Sequence, residues 1–423
     1  MRRTFRVFVL LVVLVPSSLA AAEPPRFQMI PAEGEAAKYW PRWRGPTGQG
    51  VAADGDYPDR WSSTENVLWK VEIPGSGLSS PIVFRDSLFL TAALGNGAER
   101  LLLCFDRATG KLRWQAKSPG SVPEKPGFKN GHATSTPCTD GERIYVYFGS
   151  QGLVCYDFDG KRVWHQDFGL IQTRHGPGGS VLLYRDRVII YQERNNGSFV
   201  AAFDTKTGKQ IWRTPRKETV GWGTPVAVRA GNRDEIIVSS EYCVYGYDPE
   251  TGKQLWRCEG STDEVTPTPV VGHGFLICSS GRQGPTLAIR AGGNGDVTDT
   301  HVAWRALKGS PFIPSPVLLG EYLYLVNDML SVATCYDARN GRLQWQERVG
   351  KAAKEGFSAS PVAVNGKVFF TNDEGETYVI KAGAAFELLR VNRLGEKVLS
   401  SPALVEGKWY IRGQKHLYCV GKQ

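Results

Sequence analysis

The chain has 423 residues and is rich in glycine and tryptophan, with 48 Gly and 12 Trp, but it contains only 3 Met. Hydrophobic residues make up 41% and charged residues 22% of the chain, which excludes a disordered protein, and the Gly and Trp content argues against a helical bundle. The net charge of +9 includes no dense Lys/Arg block of the kind that binds nucleic acid, so we expect no nucleic-acid partner.

The N-terminal residues have the pattern of a secretory signal. Three arginines precede an apolar run over residues 7–15, and small residues follow up to Ala22. The run is too short to span a bilayer, and no cysteine precedes Cys104, so we expect neither a transmembrane segment nor a lipid anchor. We therefore expect an exported protein, periplasmic or extracellular, with a signal peptide over residues 1–22 and an N-terminal extension over residues 23–63.

Two short phrases recur along the rest of the chain. One runs from an Asp through Gly-Lys or Gly-Arg to a Trp, as in residues 106–114 and 204–212. The other is a Ser or Thr before Pro and a short β run, and it occurs at seven positions: Ser80, Thr136, Thr224, Thr268, Ser315, Ser360 and Ser401. Ser180 heads a similar run in the one double-length gap, which makes eight units of roughly 45 residues.

Each unit predicts four short strands separated by turns, which is typical of a propeller blade. We therefore expect one all-β domain over residues 64–423, a single eight-bladed β-propeller of four-stranded blades. The last unit ends after its third strand, whereas residues 67–73 have the pattern of a Trp-bearing fourth strand before the first unit. The sequence therefore predicts that residues 67–73 complete the last blade and close the ring, which leaves no unpaired strand at the junction.

The repeated residues have structural explanations. The Gly suits a left-handed turn position, the Asp can accept hydrogen bonds from backbone amides of the turn, and the Trp supplies a large apolar surface between blades. We expect these residues to form the scaffold and none of them to be catalytic. Unit 5 has a long Gly-rich turn before its Trp, and unit 7 has no Trp.

Together the two phrases resemble the pyrroloquinoline quinone (PQQ) type propeller repeat over roughly residues 66–420. That repeat occurs in quinoprotein alcohol dehydrogenases and in the outer-membrane assembly lipoprotein BamB. Residues 40–46, 131–137 and 293–298 resemble a secreted, planctomycete-like branch of this family. The resemblance implies a fold more than a reaction, because one fold hosts many activities.

The landmarks of the quinoprotein dehydrogenases are a disulfide between adjacent cysteines, a Ca²⁺ held by carboxylate and amide oxygens, and an Asp base. None of the eight cysteines is adjacent to another, and no set of Glu, Asn and Asp residues aligns with the calcium ligands and the base of those enzymes. The catalytic residues are therefore unknown. The densest group of oxygen ligands, residues 372–376, is interpreted as a solvated acidic turn, and we expect no metal.

Two functions follow from this resemblance. The first is a monomeric binding or assembly scaffold of the cell envelope, BamB-like, with a protein partner and no cofactor. The alternative is a quinoprotein oxidoreductase that acts on an alcohol or sugar and uses PQQ with calcium.

The cysteines mostly occupy one slot of the repeat. Cys104, Cys155 and Cys335 stand two residues before their unit's Asp, where other units have Ala or Gly, so the slot requires a small buried residue. One pair differs: if the turn over residues 248–253 is symmetric, Cys243 and Cys258 lie opposite each other on neighbouring strands. They are the candidate disulfide.

Ligands of such a ring usually gather at one face of its axial channel, on the loops that lead into the inner strands. The candidate ligand-binding residues there are His132, Arg174, His175, Arg194, Trp222, Thr224, Arg282 and Gln283. Arg174 and Arg282 could bind a carboxylate or another anion, and Trp222 could stack on a flat ring. The alternative is that Arg174 and His175 brace their loop and Trp222 plugs the channel.

Overall fold

The computed structural model describes residues 24–120, 124–125, 127, 129–194, 197–217, 220–282, 284–351 and 356–422. These residues form eight sheets around one axis, and the described part contains only three short 3-10 segments besides strands, at Gly34–Lys38, Gly95–Gly97 and Gly149–Gln151. The all-β, eight-bladed propeller predicted from the repeat is confirmed. The predicted signal peptide lies outside the described residues.

The strands follow the predicted units. Before the first blade come β1 (Phe27–Met29) and β2 (Val67–Glu72). Blade 1 comprises β3 (Ile82–Phe84), β4 (Ser87–Leu94), β5 (Glu99–Asp106) and β6 (Leu112–Lys117), and blade 2 comprises β7 (Cys138–Thr139), β8 (Ile144–Tyr147), β9 (Leu153–Tyr156) and β10 (Arg162–Gln166). Blade 3 comprises β11 (Leu182–Tyr184), β12 (Arg187–Gln192), β13 (Phe199–Asp204) and β14 (Gln210–Pro215), and blade 4 comprises β15 (Val226–Ala230), β16 (Arg233–Ser240), β17 (Cys243–Tyr247) and β18 (Gln254–Glu259).

The second half of the ring repeats this pattern. Blade 5 comprises β19 (Val270–Gly272), β20 (Phe275–Ser279), β21 (Thr286–Arg290) and β23 (Val302–Ala306), and blade 6 comprises β24 (Val317–Leu319), β25 (Tyr322–Asn327), β26 (Val332–Asp337) and β27 (Arg342–Arg348). Blade 7 comprises β28 (Val362–Val364), β29 (Lys367–Thr371), β30 (Glu376–Lys381) and β31 (Leu388–Arg393), and blade 8 contains β32 (Ala403–Val405), β33 (Lys408–Arg412) and β34 (His416–Val420). In the Gly-rich turn of blade 5, β22 (Gly295–Asp296) pairs in parallel with β18 of blade 4.

The ring closes as the sequence predicted. Strand β2 pairs antiparallel with β34, with Val67 opposite Val420 and Glu72 opposite His416, so it is the fourth strand of blade 8. The first strands of neighbouring blades contact each other and line the axis.

Five of the seven repeated Trp residues pack on the repeated Gly of the next blade: Trp69, Trp114, Trp164, Trp212 and Trp304. Gly208 has φ of 71°, and a Cβ added to it would lie 2.6 Å from the Trp164 ring, so only Gly fits there. Six indole N–H groups donate to a backbone carbonyl across the blade boundary at 2.9–3.2 Å: Trp69, Trp114, Trp164, Trp212, Trp304 and Trp345. Trp256 instead donates to Glu235 within its own blade.

The small slot of the repeat lies directly opposite the Trp in the sheet register. Cys104 pairs with Trp114, Cys335 with Trp345, and Gly246 with Trp256. The indole lies over its cross-strand neighbour, so that neighbour must be small. The prediction that these cysteines act as small buried residues is consistent with this register, and all eight thiols are buried.

The predicted register of Cys243 and Cys258 is wrong by one residue. Cys243 lies opposite Glu259, and Val244 lies opposite Cys258. A bulge between Gly246 and Tyr247 shifts the pairing, and a shift of one residue moves a side chain to the other face of the sheet. Both thiols are free.

The seven Ser and Thr residues before proline, together with their counterpart Ser180, form a closed ring of hydrogen bonds around the axis. In each blade the backbone N–H of this residue donates to the hydroxyl of its counterpart in the next blade, at 2.9–3.0 Å. The eight members of this hydroxyl ring are Ser80, Thr136, Ser180, Thr224, Thr268, Ser315, Ser360 and Ser401. The second sequence phrase therefore joins the blades, and Ser401 N–H closes the ring on Ser80.

The segment before β2 crosses the far end of the channel. Strand β1 pairs with the inner strand β15, and the N–H of Trp40 donates to Val83 O of blade 1 at 3.1 Å. In blade 7, Ala363 N–H donates to Gly50 O at 2.8 Å. The segment thus ties together the inner strands of blades 1, 4 and 7 and places Trp43 below the hydroxyl ring.

Candidate functional site

Two adjoining cavities lie on the face that carries the loops leading into the inner strands, here called the cavity face. The upper cavity, of about 300 Å³, is lined by Lys129, Asn130, Thr134, His175, Gly178, Trp222, Thr266, Arg282, Phe312 and Ile313. The lower cavity, of about 120 Å³, lies at the level of the hydroxyl ring and has Trp43 in its wall. Three predicted site residues, His175, Trp222 and Arg282, line the upper cavity.

The apolar wall of the upper cavity is held by hydrogen bonds behind it. Trp222 Nε1 donates to Gly176 O at 2.7 Å, and the Trp222 ring lies 5.4 Å from the His175 ring between centroids. Phe312 N–H donates to Asp328 Oδ1 at 2.8 Å, and burial raises the pKa of Asp328. Because the indole N–H is already used, Trp222 offers the cavity an apolar surface.

The rim of the upper cavity is organised by a buried carboxylate that the sequence interpretation missed. Glu264 Oε1 lies 2.8 Å from Arg174 Nη1 and 3.4 Å from His175 Nε2, and Glu264 Oε2 lies 2.8 Å from Arg282 Nε. Glu264 is 1% exposed and has φ of 56°, a conformation that non-glycine residues rarely adopt. The two arginines expected to bind an anion are therefore engaged by the chain's own carboxylate.

A second ion pair spans the mouth. Lys129 Nζ, in the loop between blades 1 and 2, lies 2.8 Å from Asp373 Oδ2 of blade 7, and Ser358 N–H donates to Asp373 Oδ1 at 2.7 Å. Asp373 is 4% exposed, so this part of the predicted solvated turn is buried and paired. The sequence offers no reason to select Lys129 as a site residue, because it shows only an isolated lysine in a long loop.

The other predicted site residues lie outside the upper cavity or in the scaffold. His132 Nε2 is 2.8 Å from Glu124 O, and Arg194 Nη1 donates to Phe168 O at 3.1 Å, so both brace loops. Thr224 belongs to the hydroxyl ring and borders the lower cavity. Gln283 lies outside the described residues.

The described residues 24–120, 124–125, 127, 129–194, 197–217, 220–282, 284–351 and 356–422 contain no group of three or more His, Cys, Asp or Glu side chains placed to hold a metal ion. No helix among them is long and apolar enough to cross a membrane. The arrangement around the upper cavity is an apolar slot bordered by paired charges, which suits binding.

Comparisons with known proteins identify relatives of the chain. The family model of the outer membrane protein assembly factor BamB matches residues 60–137, 98–347 and 329–420, which together cover most of the chain. A search of curated proteins gives no significant match.

Solved structures with this fold include an assembly factor and two dehydrogenases. BamB from Moraxella catarrhalis is 12% identical with a TM-score of 0.61, and the match covers 84% of this chain and 97% of that chain. A europium-containing methanol dehydrogenase is 10% identical with a TM-score of 0.68, covering 91% and 98%. A quinohemoprotein alcohol dehydrogenase from Comamonas testosteroni is 14% identical with a TM-score of 0.64, covering 92% and 81%. At these identities the likeness shows the fold alone, and the planctomycete-like branch stays a prediction.

Proposed function

Since the chain belongs to the PQQ-like propeller family of the outer membrane protein assembly factor BamB, we propose that it is an exported envelope scaffold that binds a partner protein through its cavity face. The scaffold acts in the periplasm or outside the cell as a monomer. The closed hydroxyl ring supports this role, because eight inter-blade bonds hold the face as one rigid platform.

The observation that carries the proposal is the pairing of charges at the rim. Arg174 and Arg282 share the carboxylate of Glu264, and Lys129 is paired with Asp373, so each cation of the mouth already has a carboxylate partner within the chain. What the upper cavity presents to a ligand is an apolar wall. An apolar centre within a rim of paired polar groups is the usual anatomy of a protein interface.

Exposed apolar side chains lie on two loops that border the cavity face. Leu307 is 76% exposed and lies in the loop that carries Phe312. Met329 and Leu330, 61% and 57% exposed, lie in the neighbouring loop between β25 and β26. Clustered exposed apolar groups are a feature of interaction sites on soluble proteins.

The test is photo-crosslinking in the native envelope from two matched leucines. A photoreactive residue at Leu330 probes the cavity face, and the same residue at Leu388, 44% exposed on the outer strand β31, is the control. We expect one defined protein adduct from position 330 and none from position 388. Equal adducts at both positions, or none at either, would contradict the proposal.

The alternative is the quinoprotein oxidoreductase. The Trp222 ring in a cavity of about 300 Å³ favours it, since a flat ligand could lie on the indole. The residues present fit a calcium-bound quinone poorly, however: the described part of the chain holds no group of three or more His, Cys, Asp or Glu side chains placed to hold a metal ion, and both candidate arginines are paired with Glu264. Titration with PQQ and Ca²⁺, followed by dye reduction with alcohols and sugars, separates the two functions. Tight binding of PQQ with turnover would contradict the scaffold proposal, and the absence of binding would contradict the oxidoreductase alternative.

A further inference from the structure

The lower cavity is lined by hydroxyl groups that have protons to donate. Six ring members border it: Ser80, Thr136, Ser180, Thr224, Ser360 and Ser401. Each ring oxygen accepts one N–H from the blade before it, which leaves its own O–H proton unassigned. Among the described residues, only Thr268 of the eight finds a protein acceptor for that proton, Thr224 O at 3.4 Å. The cavity wall is therefore rich in donors that need acceptors.

A buried guanidinium lies behind Trp43, which borders this cavity. Arg44 is 1% exposed, and its Cζ lies 5.9 Å from the centroid of the Trp43 ring that borders the cavity. Arg44 Nη2 donates to the carbonyls of Gln49 and Pro316, the latter directly after a ring serine. Its Nε and Nη1 have no partner among the described residues, and it forms no ion pair with any of them. Burial lowers the pKa of Arg44 to about 9.

A second buried guanidinium lies beside the cavity. Arg412 is 2% exposed, and its Nη1 donates to Ser79 Oγ at 2.7 Å, next to the ring member Ser80. Its own carbonyl accepts the hydroxyl of Ser400, which borders the cavity. Like Arg44, it forms no ion pair within the described part of the chain, and burial lowers its pKa to about 9.

The surrounding carboxylates do not compensate these two charges. Asp373 lies near the upper end of the cavity, but it is paired with Lys129, which borders both cavities. A buried charge without a counter-charge is costly, and the usual remedy is a partner of opposite sign. An anion would accept hydrogen bonds from the donor groups in the cavity wall and would also balance the positive charge behind that wall.

We propose that the lower cavity is a binding site for a small inorganic monoanion, a halide or a small oxyanion such as nitrate. The anion accepts hydrogen bonds from the ring hydroxyls and balances Arg44 and Arg412. The volume of about 120 Å³ admits such an ion with a few waters, and it suits a small ion better than a bulky organic anion such as gluconate. The bound ion joins the blades at the axis, so its binding stabilises the folded ring.

The first test locates the ion. Crystals of the exported chain are grown in sodium bromide, and anomalous diffraction at the bromine edge is measured. We expect a bromide peak inside the hydroxyl ring, within hydrogen-bond distance of at least two ring hydroxyls. A cavity that holds only water in saturating bromide would overturn the proposal.

The second test measures linkage in solution. The melting temperature is followed as sodium chloride replaces sodium gluconate at constant ionic strength. We expect a saturable rise of roughly 1–3 °C for the natural chain at ten-fold saturation, because the ion binds only the folded state. Arg44→Met removes the rise, whereas Arg85→Met, which breaks an exposed pair with Glu35 in the same region, keeps it.

Arg44→Lys is included in case Arg44→Met fails to fold. It retains the positive charge and is expected to retain part of the rise in melting temperature. A rise that is the same in the natural chain, Arg44→Met and Arg85→Met would show a general salt effect and contradict the site.

Discussion

The axis of the ring and the mouth of its channel are built in different ways. At the axis, one hydrogen bond from a backbone N–H to a Ser or Thr hydroxyl is repeated eight times between neighbouring blades. At the mouth, the bonds occur once each and join distant residues, such as Lys129 and Asp373, which are 244 positions apart. The contacts that repeat between all blades hold the ring together. The contacts that occur once, between residues distant in the chain, shape the mouth and distinguish this chain from the general repeat.

The largest expected effect is on the repeated contact between blades. Gly208→Ala would place a Cβ 2.6 Å from the Trp164 ring in a left-handed turn, so we expect a loss of about 3 kcal/mol of unfolding free energy. Gly366→Ala has nearly the same φ, 65°, but meets no atom within 4 Å, and is expected to cost only about 1 kcal/mol. Urea denaturation measures both. Equal losses would show that the tryptophan contact does not matter.

The next effect is on the mouth. Asp373→Asn removes the charge that holds Lys129 and weakens the bonds to Ser358, so we expect a loss of about 2 kcal/mol. The control is Asp86→Asn, whose carboxylate is paired with Arg113 but is 72% exposed, with an expected change within about 0.5 kcal/mol. Thermal unfolding of the two variants compares them. If Asp373→Asn is as neutral as Asp86→Asn, the pair across the mouth is not a structural link.

A smaller effect is expected when one bond of the hydroxyl ring is broken. Ser180→Ala leaves the N–H of Thr136 without its acceptor, at an expected cost of about 1 kcal/mol, because water in the cavity offers a substitute. Ser180→Thr keeps the acceptor and is expected to be nearly neutral. Denaturant titration distinguishes them, and a neutral Ser180→Ala would mean that the ring bonds do not hold the blades together.

The smallest effect concerns the repeated turn aspartates. Hydrogen bonds from Arg113 and Thr109 lower the pKa of Asp106 to about 2. A carboxyl whose pKa is depressed in the folded state stabilises it above the unfolded pKa, near 4, and loses that contribution as the pH falls towards 2. Asp106→Asn is expected to flatten this part of the stability profile by less than about 1 kcal/mol. An unchanged acid slope would contradict the assignment.

The fold was predictable because its physical requirements recur. The Trp, the Gly beneath it and the small residue opposite it, such as Cys104 opposite Trp114, appear in most blades and identify the unit. The closing strand β2 was predictable because it carries the same pattern as other fourth strands.

The site was less predictable because its determinants occur once. Glu264 lies far along the chain from Arg174, and a buried carboxylate has no local sequence signature. The bulge next to Gly246 shifted the expected partner of Cys243 by one residue, and such an insertion is invisible in strand periodicity. The hydroxyl ring lies between these cases: its residues were recognised as landmarks, but the bonds between them became evident only in three dimensions.

One measurement tests the central claim, that the ring is scaffold and the cavity face binds a partner. It compares adduct yield from a photoreactive residue at position 330 in two variants, Glu264→Gln and Ser180→Ala. Glu264→Gln frees Arg174 and Arg282, which are 64% and 50% exposed and stay hydrated, so we expect a loss of stability no larger than that of Ser180→Ala, about 1 kcal/mol, but loss of the adduct. Ser180→Ala is expected to lower stability and keep the adduct. Adduct yield that follows stability in both variants would contradict this division between scaffold and binding face.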